Sequence, residues 1–448
     1  MDKKIKLPEN VKRIIETLNI KGYNAYAVGG CIRDSLMNKC PSDWDICTSS
    51  LPQETLDTLG KNNIIENGLK HGTVTVHIDN ENYEITTFRT DGIYLDNRHP
   101  ENVIFVRDLK EDLSRRDFTV NALAYNDSDG LIDLFKGTDD IKNRCIRCVG
   151  DPDRRFNEDA LRILRALRFS SQLGFTIEDE TSYSIHKNAM LLKNISAERI
   201  MSEFVKILTG ANVEDVLMNY YDVVSVFIPE IKPMIGFRQR NPHHIYDVWK
   251  HTVKVISHIE PQKVLRLAAF FHDSGKPSTF TIDKNNIGHF HGHPDISELI
   301  ANDVLRRLKA DNNTISKVRL LVKLHDLRPS ATSKNVRKML AKTGAENFLL
   351  LLKLKWADAM GQNPLLLNEK LKYIDELEKI YNSEITGDSA FTLKQLKING
   401  SDLKRIGINE GKKIGIILKC LLDCVIEGEL ENDQEKLLGA ASEINKRL

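Results

Sequence analysis

Two aspartates separated by a single residue are the first group in the sequence with the types and spacing for chemistry. Asp43 and Asp45 flank Trp44. In an extended strand successive side chains alternate between faces, so both carboxylates would lie on one face while Trp44 and Ile46 pack on the other. Paired carboxylates suit hard cations that keep substrate phosphates as further ligands, as in-line phosphoryl transfer requires. We expect a metal site here, with Glu84 supplying a third carboxylate from a neighbouring strand.

A glycine pair lies shortly before these aspartates. Gly29 and Gly30 follow an apolar run at 23–28 and precede a helical pattern that begins near Ile32. A backbone without side chains can approach phosphates closely, and Arg33 and the free amides at a helix start would face them. Taken alone, the glycines are equally consistent with a plain turn from strand to helix.

A row of charged residues recurs at every third position further along the chain. Asp159, Arg162, Arg165 and Arg168 are i, i+3 neighbours on a predicted helix. The apolar residues of the same segment occupy the opposite side and predict its attachment to a core: Ala160, Ile163, Leu164 and Leu167. A solvated charged face is the alternative interpretation.

Four motifs together carry a family resemblance over about residues 20–210. GGCIRD, DWD, RRDFTVNAL and EDALRILRALRF resemble the tRNA nucleotidyltransferase (CCA-adding) and bacterial poly(A) polymerase superfamily. The resemblance implies a nucleotidyltransferase head in which Asp43 and Asp45 bind Mg²⁺. It also implies nucleotide contacts from Gly30, Arg33 and Arg116.

The resemblance assigns the charged row to nucleotide selection. Asp159 and Arg162 would contact the base edges of incoming CTP and ATP and act as a protein template. A carboxylate accepts a hydrogen bond from the exocyclic amino group that C and A share, while a guanidinium donates to ring acceptors. Arg165 and Arg168 would hold the triphosphate or the helix itself.

Two further segments resemble parts of the same superfamily. Residues 87–106 resemble the flexible loop of enzymes that add the complete CCA, which argues against a CC-only enzyme. Residues 195–208 resemble the neck helix, although an ordinary amphipathic helix would show the same periodicity. A poly(A) polymerase or an A-adding enzyme of the same family remains the alternative.

Histidines and aspartates recur at long spacings in the middle of the chain. The strings VWKHT, FFHDSGKP, GHFHGHP and KWADAM resemble the HD phosphohydrolase superfamily. The resemblance implies a divalent-metal site made by His251, His272, Asp273 and Asp358, with His293 and His325 in the same series. Imidazole and carboxylate ligands together suit transition metals or a mixed di-metal centre. The alternatives are a retained scaffold without metal, or a phosphohydrolase whose head only binds RNA.

The end of the chain is locally basic. Residues 394–419 contain seven basic and two acidic residues. The segment INGSDLKRIGINEGKKIGIIL resembles the tail of HD-bearing bacterial members, which implies contact with the tRNA elbow through shape and backbone. A solvated basic face is the alternative.

The elements that position these candidate sites are predicted to form an α+β fold. We expect a nucleotidyltransferase head with a small mixed sheet at 1–150, a helical neck at 151–215, a helical HD-containing body at 216–380 and a helical tail at 381–448. The 448 residues carry a net charge of +1, so RNA must be bound through local patches. Seven cysteines, an odd number in a long chain, do not suggest a disulfide framework, and the sequence has no 18-residue apolar run. Both observations favour a cytoplasmic protein that does not span a membrane. The expected partners are CTP, ATP and the 3′ end and elbow of tRNA.

Overall fold

Short apolar strands build a mixed sheet in the first part of the chain. The computed structural model describes residues 4–60, 64–65, 72–91 and 103–448. Seven strands form one sheet in the order β3-β4-β5-β2-β1-β8-β9, in which only β2 and β5 pair in parallel. The strands of this part are β1 (Ala25–Val28), β2 (Ile46–Thr48), β3 (Ile64–Ile65), β4 (Thr73–Ile78), β5 (Glu81–Thr87), β6 (Arg89–Asp91), β7 (Val103–Phe105), β8 (Leu123–Asn126), β9 (Gly130–Asp133), β10 (Cys145–Ile146) and β11 (Thr176–Ile177).

Two alternating, β-branched-rich runs over 73–89 predict a β-hairpin around 79–82, and the structure confirms it. β4 and β5 pair antiparallel, and the two residues between them, Asp79 and Asn80, have φ values of 52° and 64°. Such left-handed pairs make the tight hairpin turns whose twist matches that of the strands. The parallel register between β2 and β5 aligns Ile46 with Ile85, which places Glu84 on the strand beside the two aspartates.

The apolar residues of the segment RRDFTVNALAY, residues 115–125, predict a helix, and this prediction is wrong. The segment forms a single 3₁₀ turn at Thr119–Asn121 and then β8, which pairs with β1. All four residues of β8 are buried. A short, fully buried strand has no period-two alternation, so hydrophobic periodicity cannot distinguish it from a buried helical segment.

Helices cover the sheet and continue beyond it. The first helix of the chain places Val11, Ile14, Ile15 and Leu18 in the core of the sheet domain, as its amphipathic pattern predicts. The helices of this part are α1 (Glu9–Ile20), α2 (Gly30–Leu36), α3 (Pro52–Leu59), α4 (Leu109–Ser114), α5 (Gly137–Lys142), α6 (Pro152–Glu158), α7 (Leu161–Leu173), α8 (Asp179–Asn188), α9 (Ala197–Leu208), α10 (Val213–Asn219) and α11 (Tyr221–Phe227).

The charged row lies mainly on α7. Its apolar partners Ala160, Ile163, Leu164 and Leu167 are fully buried, as predicted. Asp159 differs from the prediction, because it adopts an extended conformation (φ −138°) at the end of α6 and therefore precedes the helix. Arg162 and Arg168 are buried as well, so a solvated face does not describe them.

The rest of the chain is helical except for one small hairpin. The two short strands are β12 (Thr281–Ile282) and β13 (Gly288–His289). The helices are α12 (Val248–His258), α13 (Lys263–Phe271), α14 (Lys276–Thr279), α15 (His293–Arg307), α16 (Asn312–Leu324), α17 (Ser333–Thr343), α18 (Ala345–Met360), α19 (Leu367–Thr386), α20 (Gly400–Arg405), α21 (Gly411–Glu427) and α22 (Gln434–Arg447). Among the helices of the described ranges, none is long and apolar enough to span a bilayer.

The α+β class is therefore confirmed. The chain divides into two compact units, Met1–Pro229 and Glu230–Leu448. The finer division into head, neck, body and tail stays a prediction. Of the predicted flexible loop at 87–106, residues 92–102 lie outside the described residues.

Candidate active site and metal centre

Three carboxylates lie together at the edge of the sheet where β2 begins and β5 runs beside it. Asp43 and Asp45 lie in the extended segment that leads into β2, and the carbonyl of Asp45 accepts a hydrogen bond from the amide of Val28 at 3.0 Å. Trp44 packs against the core of the sheet domain and Ile46 is buried within it. The predicted alternation, with carboxylates on one side and apolar residues on the other, is present.

The electrostatics of this edge suit a cation. Desolvation by the surrounding protein raises the pKa of Asp45, and the negative charges of Asp43 and Glu84 raise it further, whereas Arg116 lowers it. Neighbouring negative charges repel, and a bound divalent cation relieves the repulsion. The residues at this edge therefore fit the predicted Mg²⁺ site.

The glycine pair lies where two arginines approach the backbone. Gly29 has a φ of 84°, and a Cβ atom placed on it would lie 3.2 Å from Nη1 of Arg116. A Cβ atom on Gly30 would lie 3.6 Å from Nη2 of Arg33. The two glycines thus leave room for guanidinium groups beside the strand-to-helix turn, and these groups are the ones predicted to hold a triphosphate.

Arg33 belongs to a chain of hydrogen bonds that reaches α7. Its Nη1 donates to Oδ1 of Asn121 at 2.7 Å, and Nδ2 of Asn121 donates to Oδ1 of Asp117 at 3.2 Å. Nε of Arg165 donates to Oδ2 of Asp117 at 2.7 Å. Burial alone would raise the pKa of Asp117, but the charge and hydrogen bond of Arg165 outweigh it and hold this pKa at about 2.

One aromatic ring gathers three members of the predicted nucleotide site. The guanidinium carbons of Arg168, Arg33 and Arg165 lie 4.1, 5.3 and 5.4 Å from the ring centre of Phe169. Arg168 also donates to Oε1 of Glu203 on α9 at 3.1 Å. These contacts favour the second of its two predicted roles, which is to hold the helix.

The two residues of the predicted template each have an internal counter-ion. Oδ2 of Asp159 lies 3.0 Å from Nη2 of Arg199 on α9. Nη1 of Arg162 lies 2.9 Å from Oε2 of Glu158, one helical turn earlier. Sequence reasoning missed both partners. The spacing of four residues between Glu158 and Arg162 could have indicated the second pair, whereas nothing local indicates the first.

Six metal-ligating side chains converge in the second unit. The four predicted residues His251, His272, Asp273 and Asp358 come together: Nε2 of His251 lies 3.3 Å from Oδ2 of Asp273 and 3.0 Å from Oδ1 of Asp358. The structure adds two more from the same sequence series. Nε2 of His293 and Nε2 of His325 lie 3.4 and 3.6 Å from the other oxygen of Asp273.

Backbone carbonyls fix the orientation of all four imidazoles. The Nδ1 atoms of His251, His272, His293 and His325 lie 2.7 to 3.0 Å from carbonyl oxygens of Gly361, Ala269, Phe290 and Val322. A carbonyl only accepts, so each Nδ1 carries a proton, and Nε2 is the ring nitrogen left to bind a metal.

These Nε2 atoms face one another. The Nε2 atoms are 3.3 Å apart in the pair His251 and His272, and 3.1 Å apart in the pair His293 and His325. Oδ2 of Asp273 has no contact with hydrogen-bond geometry among the described residues, although Nζ of Lys276 lies 2.7 Å away. Imidazole nitrogens and carboxylate oxygens that converge in this way fit divalent metals, with Asp273 shared between two groups of ligands.

Comparisons with known proteins agree with the first unit's geometry. A family model for the poly A polymerase head domain matches residues 25–147. A model described as the probable RNA- and SrmB-binding site of polymerase A matches residues 174–235, and a model for tRNA nucleotidyltransferase domain 2 matches residues 289–441. The CCA-adding enzyme of Pediococcus pentosaceus is 33% identical over 98% of both chains. The chain belongs to the family of CCA-adding enzymes.

Other members of the family match equally broadly. The CCA-adding enzyme of Enterococcus faecalis is 34% identical over 96% of this chain and 94% of its own. The crystal structure of the Bacillus stearothermophilus CCA-adding enzyme in complex with CTP has a TM-score of 0.72, 29% identity and coverage of 99% of this chain and 98% of that one. The predicted function, a CCA-adding nucleotidyltransferase, is confirmed. None of the three matching models describes an HD domain, so that resemblance stays a prediction.

Proposed function

We propose that the first unit transfers CMP and AMP from CTP and ATP to the 3′ end of tRNA at the edge that carries Asp43, Asp45 and Glu84. The 3′ oxygen of the tRNA forms a bond to the α-phosphorus, the bond from this phosphorus to the pyrophosphate oxygen breaks, and pyrophosphate leaves. The observation that carries the proposal is the meeting of these three carboxylates beside the glycine turn, in a chain of the CCA-adding family.

Each residue of this edge has a distinct task in the proposal. Asp43 and Asp45 would hold Mg²⁺, which supplies the positive charge that neutralises the phosphates and lowers the pKa of the attacking hydroxyl. Gly30 would let the triphosphate approach the backbone. Arg33 and Arg116 would bind its oxygens, since their guanidinium groups already lie beside the glycine pair.

Selection of the base would fall to Asp159 and Arg162. Cytosine and adenine both carry an exocyclic amino group that can donate a hydrogen bond to a carboxylate. Uracil and guanine present a carbonyl at the corresponding position. Glu158 and Arg199 support this role, because a base-reading side chain must keep one direction, and each of them fixes one member of the pair. Arg165 and Arg168 would keep α7 in place through Asp117 and Glu203.

The basic segment of the second unit is proposed to bind the tRNA elbow. Most of its cationic side chains point to solvent above an apolar cluster that includes Leu403, Ile414 and Ile417. Five of its cations have no ion-pair partner among the described residues: Lys394, Lys404, Lys412, Lys413 and Lys419. Unpaired exposed cations are what phosphate contacts need. A cytoplasmic location stays a prediction.

Nucleotide incorporation tests the proposed chemistry. Full-length protein is incubated with tRNAs that end before CCA, after C and after CC, and with CTP and ATP separately and together. Asp45→Asn should abolish incorporation of both nucleotides while tRNA binding persists, because the carboxylates hold metal and not RNA. Asp139→Asn is the matched control, since Asp139 is an exposed carboxylate of the same unit. Substantial transfer by the Asp45 variant at saturating Mg²⁺ would contradict the metal role.

A second function is supported by the convergence of six ligands in the second unit. We propose a divalent-metal centre with phosphohydrolase activity, in which His251, His272 and Asp358 face one side of Asp273 while His293 and His325 face the other. The metal would supply Lewis-acid activation of a phosphoryl group and of water.

Metal analysis tests this centre without reference to activity. After equilibration with Mn²⁺ and desalting, the full chain should retain Mn²⁺, and His272→Ala should retain less of it. His258→Ala, an exposed histidine on α12, should behave as the unaltered chain. Equal retention by the His272 and His258 variants would refute the centre.

A further inference from the structure

Two cavities adjoin at the metal-ligand cluster of the second unit. One, of about 290 Å³, is lined by Asp273, Lys276 and His293 among others. The other, of about 270 Å³, extends away from the cluster between α18 and α19. Both are lined by His243, His325, Asp326, Arg328, Asp358 and Gln362. A molecule bound across this shared wall would place one end among the metal ligands and the other in the second cavity.

The second cavity differs in chemistry from the first. Beyond the shared wall its lining consists of Ala359, Leu366, Tyr373 and Ile374 together with Lys355, Glu369 and Lys370, and we call it the apolar chamber. Tyr373 directs its hydroxyl to the carbonyl of Pro329 at 2.7 Å, so the polar atom of this side chain is already engaged. The ring of Tyr373 and the side chains of Ala359, Leu366 and Ile374 therefore offer contact surface for a non-polar group.

Among the cations beside the chamber, Arg328 is the one left free for a ligand. Lys355 donates to the carbonyl oxygens of His325 and Leu327, and Lys370 donates to Gln362. Arg328 has no hydrogen bond or ion pair within the described ranges, and it lines both cavities. A guanidinium at the junction suits an anionic group that also reaches the metal ligands.

We propose that the apolar chamber is the leaving-group site of the metal centre, and that its substrate is a phosphomonoester of a compact, ring-bearing alcohol. This inference rests on the proposed phosphohydrolase function. In the reaction a water oxygen forms a bond to phosphorus, the bond from phosphorus to the alcohol oxygen breaks, and a proton from the water ends on the leaving alcohol. Arg328 would hold a phosphoryl oxygen at the junction, while the ring of the alcohol lies against Leu366 and Tyr373.

The size of the chamber restricts this class. Pockets for drug-sized ligands occupy about 300–1,000 Å³, and the chamber lies just below that range. One ring system with its attached alcohol fills such a space. A substrate with one anionic end and one apolar end matches the two adjoining cavities.

Binding of two uncleavable probes tests the inference. Methylphosphonate carries only the anionic head, and phenylphosphonate adds a ring; their carbon–phosphorus bonds resist hydrolysis. Calorimetry on the Mn²⁺-loaded full chain should give at least tenfold tighter binding of phenylphosphonate. Leu366→Trp, which fills the chamber, should remove this preference and leave the affinity for methylphosphonate within twofold. Leu365→Trp is the matched control, because Leu365 is 90% exposed and does not line the chamber.

Two further variants keep the test independent of folding defects. Leu366→Gln changes polarity at nearly constant size and should reduce the preference for the ring several-fold. Arg328→Ala should weaken both probes at least tenfold, with partial recovery in Arg328→Lys. Equal binding of both probes by the unaltered chain, or an unchanged preference in both Leu366 variants, overturns the chamber assignment alone. Failure of the unaltered chain to retain Mn²⁺ overturns the metal centre, and the inference falls with it.

Discussion

Arg199 offers a direct test of how the nucleotide is selected. Its Nη2 lies 3.0 Å from Oδ2 of Asp159, and the two side chains are 27% and 20% exposed. The other carboxylate oxygen of Asp159 accepts the amide of Leu161 at 3.1 Å. In Arg199→Ala the carboxylate keeps only this backbone contact and can turn away from the base. We expect the variant to lose discrimination between the correct nucleotides, CTP and ATP, and the incorrect ones, UTP and GTP.

The expected loss follows from the contacts involved. A hydrogen bond to a charged group contributes about 1.5–3 kcal/mol, and partial exposure with solvent screening brings this pair to about 1–2 kcal/mol. A good base contact contributes ~1–3 kcal/mol, which sets the upper limit, because Arg199→Ala misorients Asp159 without removing it. A loss of about 1–2 kcal/mol corresponds to a roughly 5–30-fold fall in the ratio of kcat/KM for the correct nucleotides to kcat/KM for the incorrect ones.

Steady-state kinetics with all four nucleotides measures this ratio. The double variant Asp159→Ala, Arg199→Ala should match Asp159→Ala alone, because Arg199 acts through Asp159 and the second change then removes nothing further. Lys206→Ala is the control on the same helix, since Lys206 is half exposed and pairs weakly with Glu203. Equal losses for the four nucleotides, or additive effects in the double variant, would refute the reasoning.

Three further outcomes follow from the geometry. Asp117→Asn should lower the free energy of unfolding by about 2 kcal/mol at pH 7, because the folded pKa of about 2 lies below the ordinary 3.8. This contribution is present above pH 3.8 and is lost as the pH falls through 2. Calorimetry should therefore show that the difference in Tm between the variant and the unaltered chain shrinks below pH 5, and a constant difference would contradict the prediction. Lys412→Glu combined with Lys413→Glu should raise KM for tRNA and reduce the slope of log binding constant against log salt by about 2; an unchanged slope would remove these lysines from the RNA site. Asp45 has a raised pKa, so the Mg²⁺ concentration that gives half-maximal activity should rise as the pH is lowered; a pH-independent requirement would speak against Asp45 as a ligand.

Local patterns carried most of what the sequence could predict about the head. The alternation of Asp43, Trp44, Asp45 and Ile46 depends only on an extended backbone, and the structure retains it. The hairpin around Asp79 depends on turn residues that tolerate positive φ. Both features are decided within a few residues, so neither requires knowledge of the rest of the fold.

Features decided by tertiary packing could not be predicted in the same way. The strand Leu123–Asn126 is buried on both faces and so has no periodicity that separates it from a helix. The partnership of Asp159 with Arg199 spans 40 residues and exists because α7 and α9 pack side by side. His293 and His325 were part of a sequence series, but their approach to the second oxygen of Asp273 depends on how α15 and α16 are placed.

The counter-ions on α7 change the meaning of its charged row. Free guanidinium groups would attract any triphosphate equally, because charge attraction does not distinguish bases. In this structure Arg162, Arg165 and Arg168 each donate to a carboxylate, from Glu158, Asp117 and Glu203 respectively. Their charge is thereby compensated and their direction fixed, and directional hydrogen bonds are what reading a base edge requires. Arg33 and Arg116 beside the glycine turn are paired in the same way, with Asp34 and Asp112, so the triphosphate would also meet guanidinium groups whose direction is set by carboxylates rather than free positive charges.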